Sequence, residues 1–420
     1  MDGYITRVVD PLIDRLINIA GAVLIEGVRA CGKTETGRHH ALSYVRLDTD
    51  RDARELARID PFLILAGDTP RLVDEWQLEP QVWNAIRQSV DDRRSPGQFI
   101  MAGSVTPADD ITRHSGAGRI LRLLLRPMTL FESGHSSGEW SLRTIMEGER
   151  PVGTTAAMDL RATVDRLCIG GWPGFLGAAP MDAQELLRSY LRDVALVDLV
   201  GVDDGTTRRS PERISRLLAA YSRNVSSGAS LKKLAADTAT ATEAAITPET
   251  TASYVGALAR IMVVEEQLAW APHLRSRAVV RQAAVRHFVD PSLAVAALNA
   301  SPERLLSDPN TLGLLFESMV VRDLRVYAQA LDGEVLHYRD SSGREVDAII
   351  QLRDGRWAAV EVKLGSSRVD EAAASLHAMV DSIDITKCGA PAALIVIDAG
   401  QYAYTREDGV LVAPLSCLAP

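Results

Sequence analysis

Apolar positions near the start of the chain recur with helical spacing. Val9, Leu12, Ile13, Leu16 and Ile17 share one face of a helix expected over Val8–Ile19. A continuous apolar run, AGAVLIEG from Ala20 to Gly27, follows. Its length fits a strand buried on both faces, as in a parallel sheet. Further short apolar runs, Phe62–Leu65, Arg71–Val73 and Gln98–Ala102, alternate with helix-like stretches such as Gln81–Val90. That alternation predicts βαβ units and a parallel α/β sheet.

The pattern changes near Phe131, where SGHSSGEW reads as a connector. Ser141–Asp198 is expected to be helical, broken by GGWPG at Gly170–Gly174, with a second break at Thr206–Ser210. Three helices follow: Arg213–Val225, a short one over Ala229–Asp237, and one opened by Thr247-Pro248 and ending at Ile261. Met262–Ala269 reads as a pair of wing strands, so the segment resembles a winged helix-turn-helix, though the third helix carries few bases beyond Arg260. The last section predicts a helix over Leu312–Ala330, a strand at Glu334–Tyr338, a hairpin over Glu345–Val362, a helix, and a strand at Ala393–Asp398. Expected domains are therefore residues 1–137, 138–205, 206–285 and 286–420.

A chain of 420 residues holds two to four domains at roughly 150 residues each. Forty-six Lys+Arg against 55 Asp+Glu leave a net charge of -9, which argues against a coat over nucleic acid but not against a local basic groove. Basic stretches without acids occur at Arg113–Arg126 and His273–His287. The four cysteines lie far apart with no CxxC pair, which fits a reducing cytoplasm. The charged N-terminus lacks the apolar core of a signal peptide, and no apolar run is long enough to span a bilayer. His39, His40 and His287 have no partner at ligand spacing, so the sequence assigns no zinc.

Gly27-Val28-Arg29-Ala30-Cys31-Gly32-Lys33-Thr34 satisfies GxxxxGK[ST], after a strand-like run and before a helix, as a phosphate-binding loop requires. Backbone N–H groups of such a loop and of the helix start donate to phosphate oxygens. Gly27, Arg29, Ala30, Cys31, Gly32, Lys33, Thr34 and Glu35 are the candidate nucleotide contacts, with Lys33 on the β- and γ-phosphates and Thr34 on Mg²⁺. Asp74 and Glu75 close the next strand, Asp74 to orient Mg²⁺ and Glu75 to polarise water. Ser104 is a candidate sensor of the γ-phosphate. Arg119 is the preferred arginine finger among Arg113, Arg119, Arg122 and Arg126, acting within the chain or from a neighbouring subunit.

A second constellation lies on the hairpin. A three-residue loop over Asp354–Arg356 pairs Arg353 with Trp357, so Asp347 opposes Lys363, Ile349 opposes Glu361, and Asp347, Glu361 and Lys363 share a face. Carboxylates there can hold Mg²⁺ while Lys363 activates water, and Glu317 on the preceding helix can complete the site. The D…ExK arrangement resembles the PD-(D/E)xK nuclease-like fold, with Val346 where that motif begins with proline.

Taken together, IEGVRACGKT, RLVDEWQLEP, FIMAGS, RLLLRPMTLFESG, GGWP, HFVDPSLA, TLGLLFESMVVRDL, HYRDSSGREVDAII and AAVEVKLG occur in an order that resembles prokaryotic AAA-type ATP-binding proteins with a C-terminal domain of unknown function. The resemblance implies a P-loop core, a helical and winged-helix middle, and a restriction-endonuclease-like C-terminal α/β domain. It implies Walker A residues Gly27, Gly32, Lys33 and Thr34, Walker B acids Asp74 and Glu75, and a nuclease-like set of Glu317, Asp347, Glu361 and Lys363. The expected activity is Mg²⁺-dependent ATP hydrolysis that switches the C-terminal domain, with DNA or RNA, a partner protein or a second copy as partners. A binding switch with a degenerate nuclease module, and an ATP-dependent nuclease, remain the competing expectations.

Overall fold

The computed structural model describes residues 3–103, 116–198, 210–272, 283–340 and 342–420. The described residues divide into two compact units. The first comprises residues 3–127 with 257–263; the second comprises 128–197, 210–256 and 264–420.

Five parallel strands form the core of the first unit: β1 (Ala22–Glu26), β2 (Ser43–Arg46), β3 (Arg71–Asp74), β4 (Phe99–Gly103) and β5 (Ile120–Leu124). Their order is β2-β3-β4-β1-β5. The expected parallel sheet is therefore present, and β1 is buried from Ala22 through Ile25, as its unbroken apolar run requires. Helices α1 (Asp10–Ile19), α2 (Lys33–His40), α3 (Arg51–Ile59) and α4 (Gln81–Arg93) accompany the sheet. Trp76, Trp83, Ile86, Phe99 and Met101 lie in the core on one side of it. The run Phe62–Leu65 is not a strand. Pro61 opens a 3₁₀ helix there, capped by the Asp60 carboxylate on the Phe62 N–H at 3.0 Å. Two strands were not expected, Ser43–Arg46 and Ile120–Leu124; partly exposed positions interrupt both.

The second unit holds a seven-stranded sheet. In order across it lie Gly333–Arg339, Glu345–Leu352, Trp357–Val362, Ala393–Asp398, Leu411–Pro414, Tyr402–Thr405 and Thr154–Thr155. The first three run antiparallel; Ala393–Asp398 then runs parallel to both its neighbours. Helix Val369–Ser382 is the crossover between the two central parallel strands, and its Val369, Ala372, Ala373, Leu376 and Met379 pack with Ile349, Trp357 and Ala359. The long helix Pro309–Ala330 precedes the sheet, as expected. Thr154–Thr155 pairs with Tyr402–Ala403, and Trp140–Ser141 pairs with Leu418–Ala419, so segments before residue 156 join strands near the end of the chain.

Helices at Pro211–Arg223, Leu231–Ala236 and Pro248–Arg260 match the three expected in the middle section. The wing does not. Met262–Ala269 contains one strand, Val264–Gln267, and its antiparallel partner is Val285–Phe288. That pairing crosses the expected division at 285/286. Met262 has a left-handed backbone (φ 60) just past the preceding helix.

Candidate functional site

The parallel register aligns the C-terminal ends of β1, β3 and β4: Glu26 pairs with Gly103, and Asp74 with Ala102. The loop after β1 bends sharply, with Ala30 at φ 66 and Gly32 at φ 104. Gly27 lies so close to the Leu125 carbonyl and the Cys31 thiol that a Cβ would collide with both. Lys33 opens α2 and is 6% exposed. Its Nζ donates to the Gly27 and Val28 carbonyls, each at 2.9 Å, which holds the ammonium against the loop.

Thr34 Oγ1 donates to Asp74 Oδ2 at 2.9 Å. The hydroxyl of the phosphate loop and the acid of β3, 40 residues apart, are thus in contact. Burial is the main cause that raises the Asp74 carboxyl above its ordinary range, and the Glu75 charge adds to it. A cation between Thr34 and Asp74 would remove that penalty, so this donor set fits Mg²⁺. Glu75 takes a left-handed backbone (φ 53) that turns it out of the strand, and its carboxylate accepts from Gln77. Glu35 lies on the first turn of α2, exposed and 3.5 Å from Arg38.

Two arginines with no motif of their own flank this edge. Arg46 ends β2 beside Asp74, its Nε 3.7 Å from Asp74 Oδ2, while its NH2 pairs with Asp48 at 3.0 Å. Arg7, 4% exposed, donates to the Cys31 carbonyl at 3.1 Å and the Arg126 carbonyl at 2.7 Å, bracing the loop against the segment after β5. Local pattern could not have found either residue, because both act through contacts made by the fold.

Arg119, the expected arginine finger, lies away from this chain's own phosphate loop. Arg119 precedes β5, whose Ile120 pairs with Ala22 at the opposite end of β1 from the phosphate loop. Its guanidinium is bound to Asp91 at 2.8 Å and to the Ala117 carbonyl. With roughly 3.3 Å per residue along a parallel strand, about 16 Å of sheet separates it from its own loop. It therefore does not serve this chain's site. Arg122 pairs with Glu26, and the Arg126 carbonyl accepts from Arg7, which also reaches the loop at the Cys31 carbonyl. Ser104 and Arg113 lie outside the described residues, as do Arg275, Arg277 and Arg281 of the other basic stretch.

Asp347, Glu361 and Lys363 do converge in the second unit. Lys363 Nζ lies 2.6 Å from Glu361 Oε2 and 3.7 Å from Asp347 Oδ2. Asp347 Oδ2 also accepts from the Val362 N–H at 2.7 Å, and Ser375 donates to Glu361 at 3.2 Å. The register differs from the expected one by two residues. Ala348 pairs with Val360 and Gln351 with Trp357, which places Asp347 opposite Glu361. The three-residue turn is Arg353–Gly355, because Gly355 takes the positive φ (96) and Leu352 bonds Arg356 across it. A two-residue step in the sum of positions preserves parity, so the shared face survives. Burial, then the Asp347 charge, push the Glu361 carboxyl up to about 7. The same two causes hold Glu317 well above the carboxylate range, so this helix carboxyl faces the cluster electrostatically. Burial opposes the Lys363 charge, but Asp347 and then Glu361 outweigh it and raise the ammonium. Two raised carboxyls around one lysine form a site that gains from a bound cation.

A third assembly explains motifs that carried no chemistry in the sequence. Arg322 is 3% exposed and lies 2.8 Å from Asp290 and 2.7 Å from Asp323. Asp290 also accepts from Gly171 N–H at 2.9 Å and from Ser292 N–H and hydroxyl, while Asp323 accepts from Leu130 N–H at 2.9 Å. Trp172 Nε1 donates to Ser292 at 3.0 Å. At Gly171 a Cβ would overlap the Met128 backbone. GGWP, VDPS and VRD thus meet at one buried ionic node of the second unit.

Comparison with known proteins bears on the first unit's phosphate loop. Residues 20–133 match the AAA domain family. Residues 160–304 and 312–418 match two domains of unknown function, DUF8612 and DUF4143. Uncharacterized proteins of Mycobacterium bovis and Mycobacterium tuberculosis are each 24% identical over 408 residues, covering 95% of this chain and 81% of theirs. Among the described residues, no helix is long and apolar enough to cross a membrane.

Proposed function

We propose that the chain is a Mg²⁺-dependent ATPase whose nucleotide state controls a C-terminal nuclease-like domain that engages nucleic acid. The 2.9 Å contact between Thr34 and Asp74, beneath a loop that only glycine at position 27 permits, carries the ATPase reading. The match of residues 20–133 to the AAA domain supports it. Lys33 supplies a buried ammonium to the phosphates, exchanging the Gly27 and Val28 carbonyls for them. Thr34 and Asp74 would hold Mg²⁺, which when bound neutralises phosphate charge. Glu75 would orient water, and Arg46 and Arg126 replace Arg119 as the candidate basic groups at the phosphate edge within the chain.

The Asp347, Glu361, Lys363 and Glu317 cluster supports a nuclease-like domain, and the three helices with the Val264–Gln267 and Val285–Phe288 strands support a winged-helix-like element beside it. Asp347, Glu361 and Glu317 would hold Mg²⁺ there. One observation favours a second reading, a nucleotide-dependent protein-interaction switch with an inactive nuclease module. Lys363 is paired with Glu361 at 2.6 Å and with Asp347 at 3.7 Å, as in a structural ion cluster.

ATP turnover measured with and without DNA or RNA tests both. Lys33→Ala is expected to abolish turnover in a folded protein; equal turnover by wild type and variant would sink the ATPase reading. A metal-dependent cut lost in Asp347→Ala supports an active nuclease-like domain. Full nucleotide turnover with no cutting or binding of any nucleic acid form supports the switch.

A further inference from the structure

The sequence offered His39 and His40 no ligand partner, yet the fold supplies one. The histidines end α2, the helix that begins with Lys33 and Thr34. Asp10 opens α1 and is 6% exposed. One side-chain ligand atom from each of Asp10, His39 and His40 lies within 4.8 Å of the other two. Asp10 Oδ1 is 3.1 Å from His40 Nε2. Tetrahedral bonds of about 2.0–2.1 Å to zinc place ligand atoms about 3.3–3.4 Å apart, so this pair needs to open by only a few tenths of an ångström.

The surroundings are those of a held ligand set. Asp14 Oδ1 is 2.8 Å from His40 Nδ1 and fixes the ring, as the carboxylate–histidine pairs that orient metal ligands do, while Nε2 bonds Asp10 Oδ1 at 3.1 Å, the contact that an ion between them would replace. Tyr4 donates to Asp10 at 2.8 Å and stacks on His39 with ring centroids 4.2 Å apart, holding the exposed imidazole beside the carboxylate. Arg7 N–H donates to Asp10 Oδ2 at 2.7 Å, while Oδ1 accepts from Tyr4 and bonds His40 Nε2.

We propose that Asp10, His39 and His40 bind one divalent transition ion of the zinc class, with a water in the fourth position and Asp14 as the residue that orients His40. Two imidazoles and a carboxylate suit zinc better than magnesium or calcium, which take oxygen ligands. The ion would join α1 to the far end of the phosphate-loop helix. The segment before α1 carries Arg7, which braces Cys31 and Arg126, so the same ion anchors that brace.

Titration calorimetry of the metal-stripped full chain with Zn²⁺ tests this, together with the Co²⁺ absorption spectrum. The expected result is saturable 1:1 binding lost in His39→Ala and in Asp10→Asn, and weakened about 10–100-fold in Asp14→Asn. His39 is exposed, so its variant keeps the fold, which circular dichroism checks. The Co²⁺ form should show tetrahedral bands with no thiolate charge transfer. Absence of saturable binding, binding unchanged in His39→Ala, or a thiolate band from the cysteines would each overturn the proposal. None of these outcomes bears on ATP hydrolysis, so the two readings stand or fall separately.

Discussion

Asp290→Ala isolates the buried node of the second unit. The side chain is 0% exposed and serves four donors: Gly171 N–H at 2.9 Å, Ser292 N–H at 2.9 Å, the Ser292 hydroxyl at 2.6 Å and Arg322 at 2.8 Å. Removing it leaves the Arg322 guanidinium buried with Asp323 as its remaining carboxylate. Breaking a buried ion pair from one side costs about 3–5 kcal/mol. Asp290 is also the N-cap of helix Pro291–Ala297, and losing a cap costs about 1 kcal/mol more. These terms overlap, so a loss of about 4 kcal/mol is expected, close to a 10³-fold change in the unfolding constant. That is a large part of a total of roughly 5–15 kcal/mol. Urea unfolding followed by tryptophan fluorescence reads it, because Trp172 is bonded to Ser292 inside the node. Asp290→Asn keeps the acceptor that caps the helix and loses the charge, and should fall between. Glu303→Ala is the control. Its ion pair with Arg161, at 2.9 Å, is exposed by 66% and 50%, and such solvent-screened pairs contribute little. If Asp290→Ala and Glu303→Ala shift the midpoint equally, the node is not what holds these segments together.

Other outcomes follow from the same contacts. Gly27→Ala should abolish ATP binding by equilibrium titration while leaving the far-ultraviolet spectrum intact, because the added Cβ meets the Leu125 carbonyl. His287 is buried between Ser318 and Gln267, and burial holds its imidazole well below the usual histidine range. A depressed folded value means that stability is full above pH about 6.5 and is lost as pH falls, by up to about 1.4 kcal/mol per pH unit. His287→Gln should flatten that limb of a thermal-midpoint profile between pH about 6.5 and 5; an unchanged slope would refute the assignment. Gln267 donates to the Leu336 and Asp347 carbonyls at 2.9 and 3.0 Å, so Gln267→Leu should cost about 1–3 kcal/mol in urea unfolding.

The phosphate loop was legible because its chemistry is local. Eight consecutive residues carry both the bend and the ligands, and the acids of β3 close a strand of unmistakable pattern. The face shared by Asp347, Glu361 and Lys363 was legible for another reason: side chains on a hairpin alternate, and parity withstands an error of two in register. The exact pairing was not, since either Asp354–Arg356 or Arg353–Gly355 can form the loop until Gly355 takes the positive φ. Strand Ser43–Arg46 was missed because exposure at Tyr44 breaks the apolar run that marks its neighbours. Arg7, Arg46, Asp10 with His40, and the Asp290–Arg322–Asp323 node were invisible for one shared reason. Each depends on a contact between residues distant along the chain, and no periodicity encodes which distant partner a polar side chain will meet.

Trp140–Ser141 finds its strand partner at Leu418–Ala419, and Ser136 donates to the Leu418 carbonyl across 282 residues of chain. At about 5–20 residues per second, synthesis takes roughly 15–60 s to cover that interval. During it Trp140, 1% exposed in the finished fold, has no strand to cover it. The second unit therefore cannot complete this pairing until Leu418–Ala419 has been made, however early Trp140 is synthesised.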